Sequence, residues 1–108
     1  MTLYAPMHVP VEISRDRHAR WYRLSTHVGA QSLRLAHVVP DELDGPVTVA
    51  FHLPGDATAV RCSGRVHEEI VGEGEEEHAE RRALTLVDLD DAARARITQY
   101  VTERLGLS

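Results

Sequence analysis

Apolar and polar residues alternate with period two along most of the chain as far as Val87, and from Ala92 the period becomes that of a helix. Val9, Val11 and Ile13 alternate with Pro10 and Glu12, the pattern of a half-buried first strand. Pro10 has no N–H to give to a ladder, so this strand is expected at a sheet edge or with the proline turned away from its neighbour. Ser14 to Ala19 reads as a charged connection. The stretch Arg20 to Val38 then reads as two strands, Trp21-Tyr22-Arg23-Leu24 and Ser32-Leu33-Arg34-Leu35-Ala36. Leu33 and Leu35 share one face, and Leu24, Leu33 and Leu35 are expected to organise the core. Between the strands lies a small, polar, Gly-containing link, Ser25 to Gln31. Links of that kind are where small β folds place ligands or partners.

Pro40 to Pro46 is turn chemistry. After it Val47, Val49, Phe51 and Leu53 fall on one face, with Thr48, Ala50 and His52 on the other. Pro54-Gly55-Asp56 closes this strand. Val60, Cys62, Gly64 and Val66 line the inner face of a long strand running towards Val71, and a glycine on that face predicts a bulge, a bend or a close backbone approach. Residues 72–80, rich in glutamate, read as an exposed hairpin tip. Ala83, Leu84, Leu86 and Val87 form the last strand. Asp88 or Asp90 is the expected N-cap of a helix over about 90–105. Ala93, Ile97, Tyr100, Val101 and Leu105 make its apolar stripe, and Gly106 suits its end. Strands over about 8–87 followed by one amphipathic helix predict a mainly β fold, a small antiparallel barrel with a C-terminal α-helix.

Length and charge narrow the function. The chain has 108 residues, one domain's worth, expected over 1–108. A domain of this size buries roughly 65% of its unfolded surface, enough for a core without staples. Seventeen acidic against twelve basic residues give a net charge of −5, which argues against nucleic-acid binding. The basic residues Arg15, Arg17, Arg20, Arg23 and Arg34 lie in the first third, and seven glutamates between Glu68 and Glu80 crowd the later part. The single cysteine, Cys62, excludes an internal disulfide. No apolar run suits membrane insertion, and the start of the chain lacks the charged and apolar regions of a signal peptide, so the expected location is cytoplasmic. Nothing in the composition fixes the oligomeric state.

Several segments, taken in order, resemble a PilZ domain: Ser32-Leu33-Arg34-Leu35 after a Gly-containing turn, Gly45 to Gly55, Val60 to Val66, Leu86 to Asp90, and Ile97 to Val101. The resemblance spans about Val9 to Leu105. It implies a six-stranded antiparallel β-barrel with one C-terminal helix, and a bacterial signalling role as a receptor for cyclic di-GMP. The family holds that ligand with an R-x-x-x-R segment before the first strand and a D/N-x-S-x-x-G motif at the link between its second and third strands. The physical logic is charge-assisted, often bidentate hydrogen bonding to a doubly negative ligand.

Both motifs are degenerate here. Anchored on Leu33-Arg34-Leu35, the three motif positions fall on His27, Gly29 and Ser32, and none matches. Met1 to His8 contains no arginine. The one R-x-x-x-R, Arg61 to Arg65, lies inside a predicted strand on its outward face. A micromolar ligand is held by about 8 kcal/mol, and each charge-assisted hydrogen bond lost costs roughly 1.5–3 kcal/mol. Losing both arginines and two motif side chains removes nearly all of the affinity. The expected role is that of the ligand-independent, PilZ-like branch: a non-enzymatic adaptor that binds a protein partner of a signalling or motility system, in type IV pilus function, motility or polarity, with no cofactor. The expected partner-binding residues are Arg20, Trp21, Arg23 and Arg34. The alternative is a receptor for cyclic di-GMP or another nucleotide with a rearranged site built from Arg15, Arg17, Arg20, Arg23 or Arg34.

Other chemistry is poorly supported. The seven histidines form no H-x-x-x-H pair, so no metal site is expected, although His52 and His67 are potential cross-strand neighbours. Cys62 lies on an inward face without a base and reads as core rather than nucleophile. Trp21 has two readings: a core anchor, the stronger, or a surface hot spot beside Arg20 and Arg23.

Overall fold

The computed structural model describes residues 3–15 and 19–107. Seven strands and one helix follow in order: β1 (Tyr4–Pro6), β2 (Pro10–Ser14), β3 (Arg20–Gly29), β4 (Ser32–Leu35), β5 (Pro46–Phe51), β6 (Val60–Val71), β7 (His78–Leu86) and α1 (Asp91–Arg104). All pairings are antiparallel. The sheet runs β3–β2–β5–β6–β7–β4, and β4 pairs back onto β3, so six strands close a barrel. The extra strand β1 continues the line of β2 along the far half of β3. The expected six-stranded barrel with a C-terminal helix is therefore the observed fold, with one added strand.

Period two explains the core. Val11 and Ile13 of β2, Leu33 and Leu35 of β4, Val47, Val49 and Phe51 of β5, and Val60 and Cys62 of β6 all point inward and are buried. Gly64 marks a close approach. A Cβ there would stand 2.8 Å from Val49 Cγ2 and 3.1 Å from the Thr85 carbonyl oxygen. Helix α1 closes the core with Ala93, Ile97 and Val101, while Tyr100 is half-buried and Leu105 is exposed. Its N-cap is Asp90, whose carboxylate accepts from the Ala93 N–H at 2.7 Å. Asp88 instead accepts from the Ser63 N–H at 2.5 Å and ties the connection after β7 to β6.

Two local expectations change, and one pair of alternatives is decided: Pro10 is not in an edge strand, because β2 lies between β3 and β5. Its missing N–H is harmless because pairing with β5 begins only at Glu12. Leu24 is 47% exposed and lies on the outer face of β3, so the barrel is organised by Leu33 and Leu35 without it. The link expected over Ser25 to Gln31 is mostly strand: β3 runs on to Gly29, leaving Ala30 and Gln31 as the turn. The hydroxyl that made Ser25 look like loop chemistry is used inside the fold. Ser25 is fully buried. Its Oγ donates to the Met7 carbonyl at 2.5 Å and accepts from the Val9 N–H at 3.0 Å. It thus partners the backbone in the gap between β1 and β2, where those groups would otherwise be orphaned. A register shift between Ser25 and His27 lets β3 pass this seam.

The β6–β7 pairing also runs further than the hydropathy pattern implies. It continues to Val71 opposite His78, so the connection spans 72–77 and residues 78–80 are already strand.

Candidate functional site

The three motif positions meet at the corner where β3 turns into β4. β1 brings Tyr4 opposite Gly29. The absence of a side chain at Gly29 is what admits the ring, since a Cβ there would stand 3.1 Å from Tyr4 Cε1 and 3.0 Å from the Leu3 carbonyl oxygen. The Tyr4 hydroxyl and Ser32 Oγ share a hydrogen bond of 2.5 Å. The guanidinium of Arg34 lies over the same ring, 4.2 Å from its centre. Arg34 also faces Glu69 at 3.6 Å, too long for a hydrogen bond, and its Nε has no hydrogen-bond partner. Tyr4 thus lies against two of the three motif positions and is covered by Arg34.

His27, the third position, pairs with Arg34 across the strands. Its Nδ1 is 3.0 Å from Thr26 Oγ1. Partial burial, then the charge of Arg34, then His8, push its pKa below the ordinary histidine value. Burial and the neighbouring cation both disfavour the charged imidazole.

A cavity of about 530 Å³ opens beside this corner, between the barrel wall and α1. Tyr4, Gln31, Ser32, His67, Thr98 and Thr102 supply most of its polar groups. Among the described residues lining it there is no arginine, lysine or carboxylate. It offers hydroxyls, an amide and an imidazole, but no fixed positive charge for a diphosphate.

Arg34 and Arg82 line a cavity of about 240 Å³ with Thr26 and His27, but the described candidate arginines of the first third do not converge. Arg15 donates to the Glu42 carbonyl oxygen at 2.8 Å. Arg20 is exposed at the start of β3. Arg23 donates to the carbonyl oxygens of Tyr22 at 3.0 Å and Val38 at 3.4 Å. Arg34 lies beside His27, seven residues along β3 from Arg20, which is roughly 23 Å of strand. Arg17 lies outside the described residues. Of the four expected partner residues, Arg20 faces outward on β3. Trp21 and Arg23 alternate onto the other face, where Trp21 packs half-buried against the core opposite Ile13. Arg34 belongs to the Tyr4 corner.

The outward face of β3 carries Arg20, Tyr22 and Leu24. Tyr22 is 59% exposed and donates from its hydroxyl to Glu12 at 3.2 Å. Sequence reasoning missed Tyr22 and Leu24 as surface residues because period two separates two faces without saying which is inside. It missed Tyr4 because three residues are too few to show a period.

His52 and His67 are not neighbours. They lie beyond opposite ends of the β5–β6 ladder, which runs from Pro46↔Arg65 to Phe51↔Val60. Among the described residues, no three His, Cys, Asp or Glu side chains gather as metal ligands would. Burial, aided by the charge of Asp88, pushes the Cys62 thiol up to about 11, the opposite of an activated nucleophile. Among the described residues no helix is long and apolar enough to cross a membrane.

No family model matches the chain, and no curated protein matches it in sequence. Solved structures do match in fold. The Bacillus subtilis inhibitor of motility, MotI/DgrA, superposes with a TM-score of 0.71 at 14% identity over 97% of this chain. This chain spans half the length of that protein. The PilZ domain of YcgR from Escherichia coli, solved with cyclic di-GMP, superposes with a TM-score of 0.63 at 10% identity, covering 98% of this chain and 89% of that one. The closed six-stranded barrel, its C-terminal helix and these two superpositions together give the chain the fold of a PilZ domain.

Proposed function

We propose that this chain is a non-enzymatic regulatory adaptor built on the PilZ fold, acting by protein–protein interaction in the control of bacterial motility, type IV pili or polarity, and that it does not take cyclic di-GMP in the family's usual way. The observation that carries this reading is the Tyr4 corner. Where a receptor would present motif side chains to a ligand, the chain's own tyrosine packs on Gly29, bonds Ser32 and lies under Arg34. The motility inhibitor among the structural neighbours supports the process; it does not identify the partner. Arg20, Tyr22 and Leu24 on the outer face of β3 form the partner surface in this reading, an aromatic and an aliphatic side chain beside a cation.

A rearranged nucleotide site would need arginines to converge on the ligand; of the described candidates, Arg15 and Arg23 donate to carbonyl oxygens, Arg34 lies on Tyr4, and Arg20 is exposed at the far end of β3. A thermal-shift series with cyclic dinucleotides tests the choice. A true ligand at a hundred times its dissociation constant stabilises by about 2.7 kcal/mol, which raises the melting temperature of a domain this size by roughly 10–20 °C. The adaptor reading expects no shift, and a shift of that size with cyclic di-GMP would replace it with the receptor reading.

A further inference from the structure

Strand β6 is twelve residues long, but β5 covers only its first half, from Val60 to Arg65. The sequence explains why β5 stops there. Its first residue is Pro46, opposite Arg65. Gly45, at φ +88°, and the 3₁₀ turn Asp41–Leu43 lead the incoming chain elsewhere. Among the described residues, β7 alone pairs with Val66 to Val71, in register from Val66↔Leu84 to Val71↔His78. The opposite edge of this ribbon is partly closed: β4 pairs with Ala83 to Thr85, and the Val39 N–H donates to the Arg81 carbonyl oxygen at 2.7 Å. The open edge therefore belongs to β6. Six residues of strand are roughly 20 Å long, and about half of their backbone groups point away from β7.

The side chains along this edge define what it can accept. Ile70 is 66% exposed, the most exposed of the large apolar side chains among the described residues. Glu68 and Glu69 precede it, and Glu73, Glu75, Glu76 and Glu77 follow in the connection. Glu69 faces Arg34. Among the described residues Glu68 and the four glutamates of the connection make no ion pair. Edge-to-edge pairing with a second copy would bring these carboxylates against their equivalents, which disfavours self-association. A strand of opposite charge gains from the same groups.

We infer that the Val66–Val71 edge of β6 is a β-augmentation site for an extended segment of a partner protein that carries basic residues. Backbone hydrogen bonds would supply the pairing, Ile70 an apolar contact, and the glutamates the choice of charge. The inference rests on the adaptor reading for its biological meaning and adds a second surface, distinct from the outer face of β3.

The test is amide hydrogen exchange on the full chain, with a capped eight-residue peptide of alternating lysine and valine as probe and its glutamate–valine counterpart as control. At ten times its dissociation constant the basic peptide is expected to slow exchange about tenfold at amides within 66–71. It should leave the far end of the barrel unchanged and lose its effect as salt rises. Glu68→Lys combined with Ile70→Lys should abolish the protection while leaving the melting temperature close to wild type. No protection at 66–71, equal protection by the acidic peptide, or full protection in the double variant would each overturn the inference. The two readings fail separately. Cyclic di-GMP binding with intact peptide protection would remove the adaptor reading and leave the edge as a docking site. Absence of both would remove the edge alone.

Discussion

The Tyr4 corner and the β6–β7 ribbon are built from the same kind of strand and end in opposite states. At the corner, each group that could face a ligand already meets another part of the chain. Gly29 admits the Tyr4 ring, Ser32 takes its hydroxyl, and Arg34 covers its face. In the ribbon, β6 outruns β5 by six residues, leaving a strand edge, an exposed isoleucine and, among the described residues, Glu68 and the glutamates of the connection without a cation. Binding capacity lies in whichever groups the fold has not already satisfied. The ribbon is not remote from the corner: Glu69, Ile70 and Val71 line a cavity of about 240 Å³ together with His27, Arg34 and Arg82.

The strongest way to break the contrast is to force the corner open. Gly29→Val places a branched side chain where even a Cβ is 3.0–3.1 Å from Leu3 and Tyr4. It should displace β1 and cost about 3 kcal/mol, visible as a lowered denaturation midpoint. A change near zero would mean that β1 is not held against β3 as described. Next in size is Ser25→Ala. It strips the partner from the Met7 carbonyl and the Val9 N–H at a fully buried site, and should cost about 2 kcal/mol in chemical denaturation. The ribbon should behave differently. Ile70→Lys is expected to shift stability by no more than about 0.5 kcal/mol, because the side chain it replaces is mostly in water. A loss of 2 kcal/mol would show that Ile70 is packed and that the edge is not free.

The smallest effect concerns pH. His27 has a folded-state pKa below its unfolded value, so the unfolded chain takes up the proton more readily. The stability it contributes is present above pH 6.5, the unfolded value, and is lost as the pH falls below it towards the folded value. Between pH 7.5 and pH 5 the wild type should therefore lose more stability than His27→Gln. Equal losses would mean that the imidazole is not desolvated beside Arg34.

The barrel was legible because period two and turn chemistry both point to it, and because the inward residues of β4 and β5 form unbroken alternations. Leu33-Arg34-Leu35 and Val47 to Phe51 needed no tertiary information. Leu24 was misread for the same reason that Leu33 was read correctly: alternation groups residues by face, but the inward choice depends on neighbours far along the chain. Ser25 was misread because a buried hydroxyl serving a backbone gap has the local chemistry of a loop. The mismatch of His27, Gly29 and Ser32 to the family's motif pattern could be read directly. What occupies the corner could not, since Tyr4 reaches it through a three-residue strand paired with residues more than twenty positions away. The free edge of β6 was hidden for a related reason. Its existence depends on where β5 begins, and only pairing register reveals that Pro46 stops opposite Arg65.

Isothermal titration of the wild-type chain with cyclic di-GMP tests the closed corner most directly. With Tyr4 seated on Gly29, bonded to Ser32 and covered by Arg34, no saturable binding is expected. A one-site isotherm with a low-micromolar dissociation constant, about 8 kcal/mol of binding free energy, would contradict it.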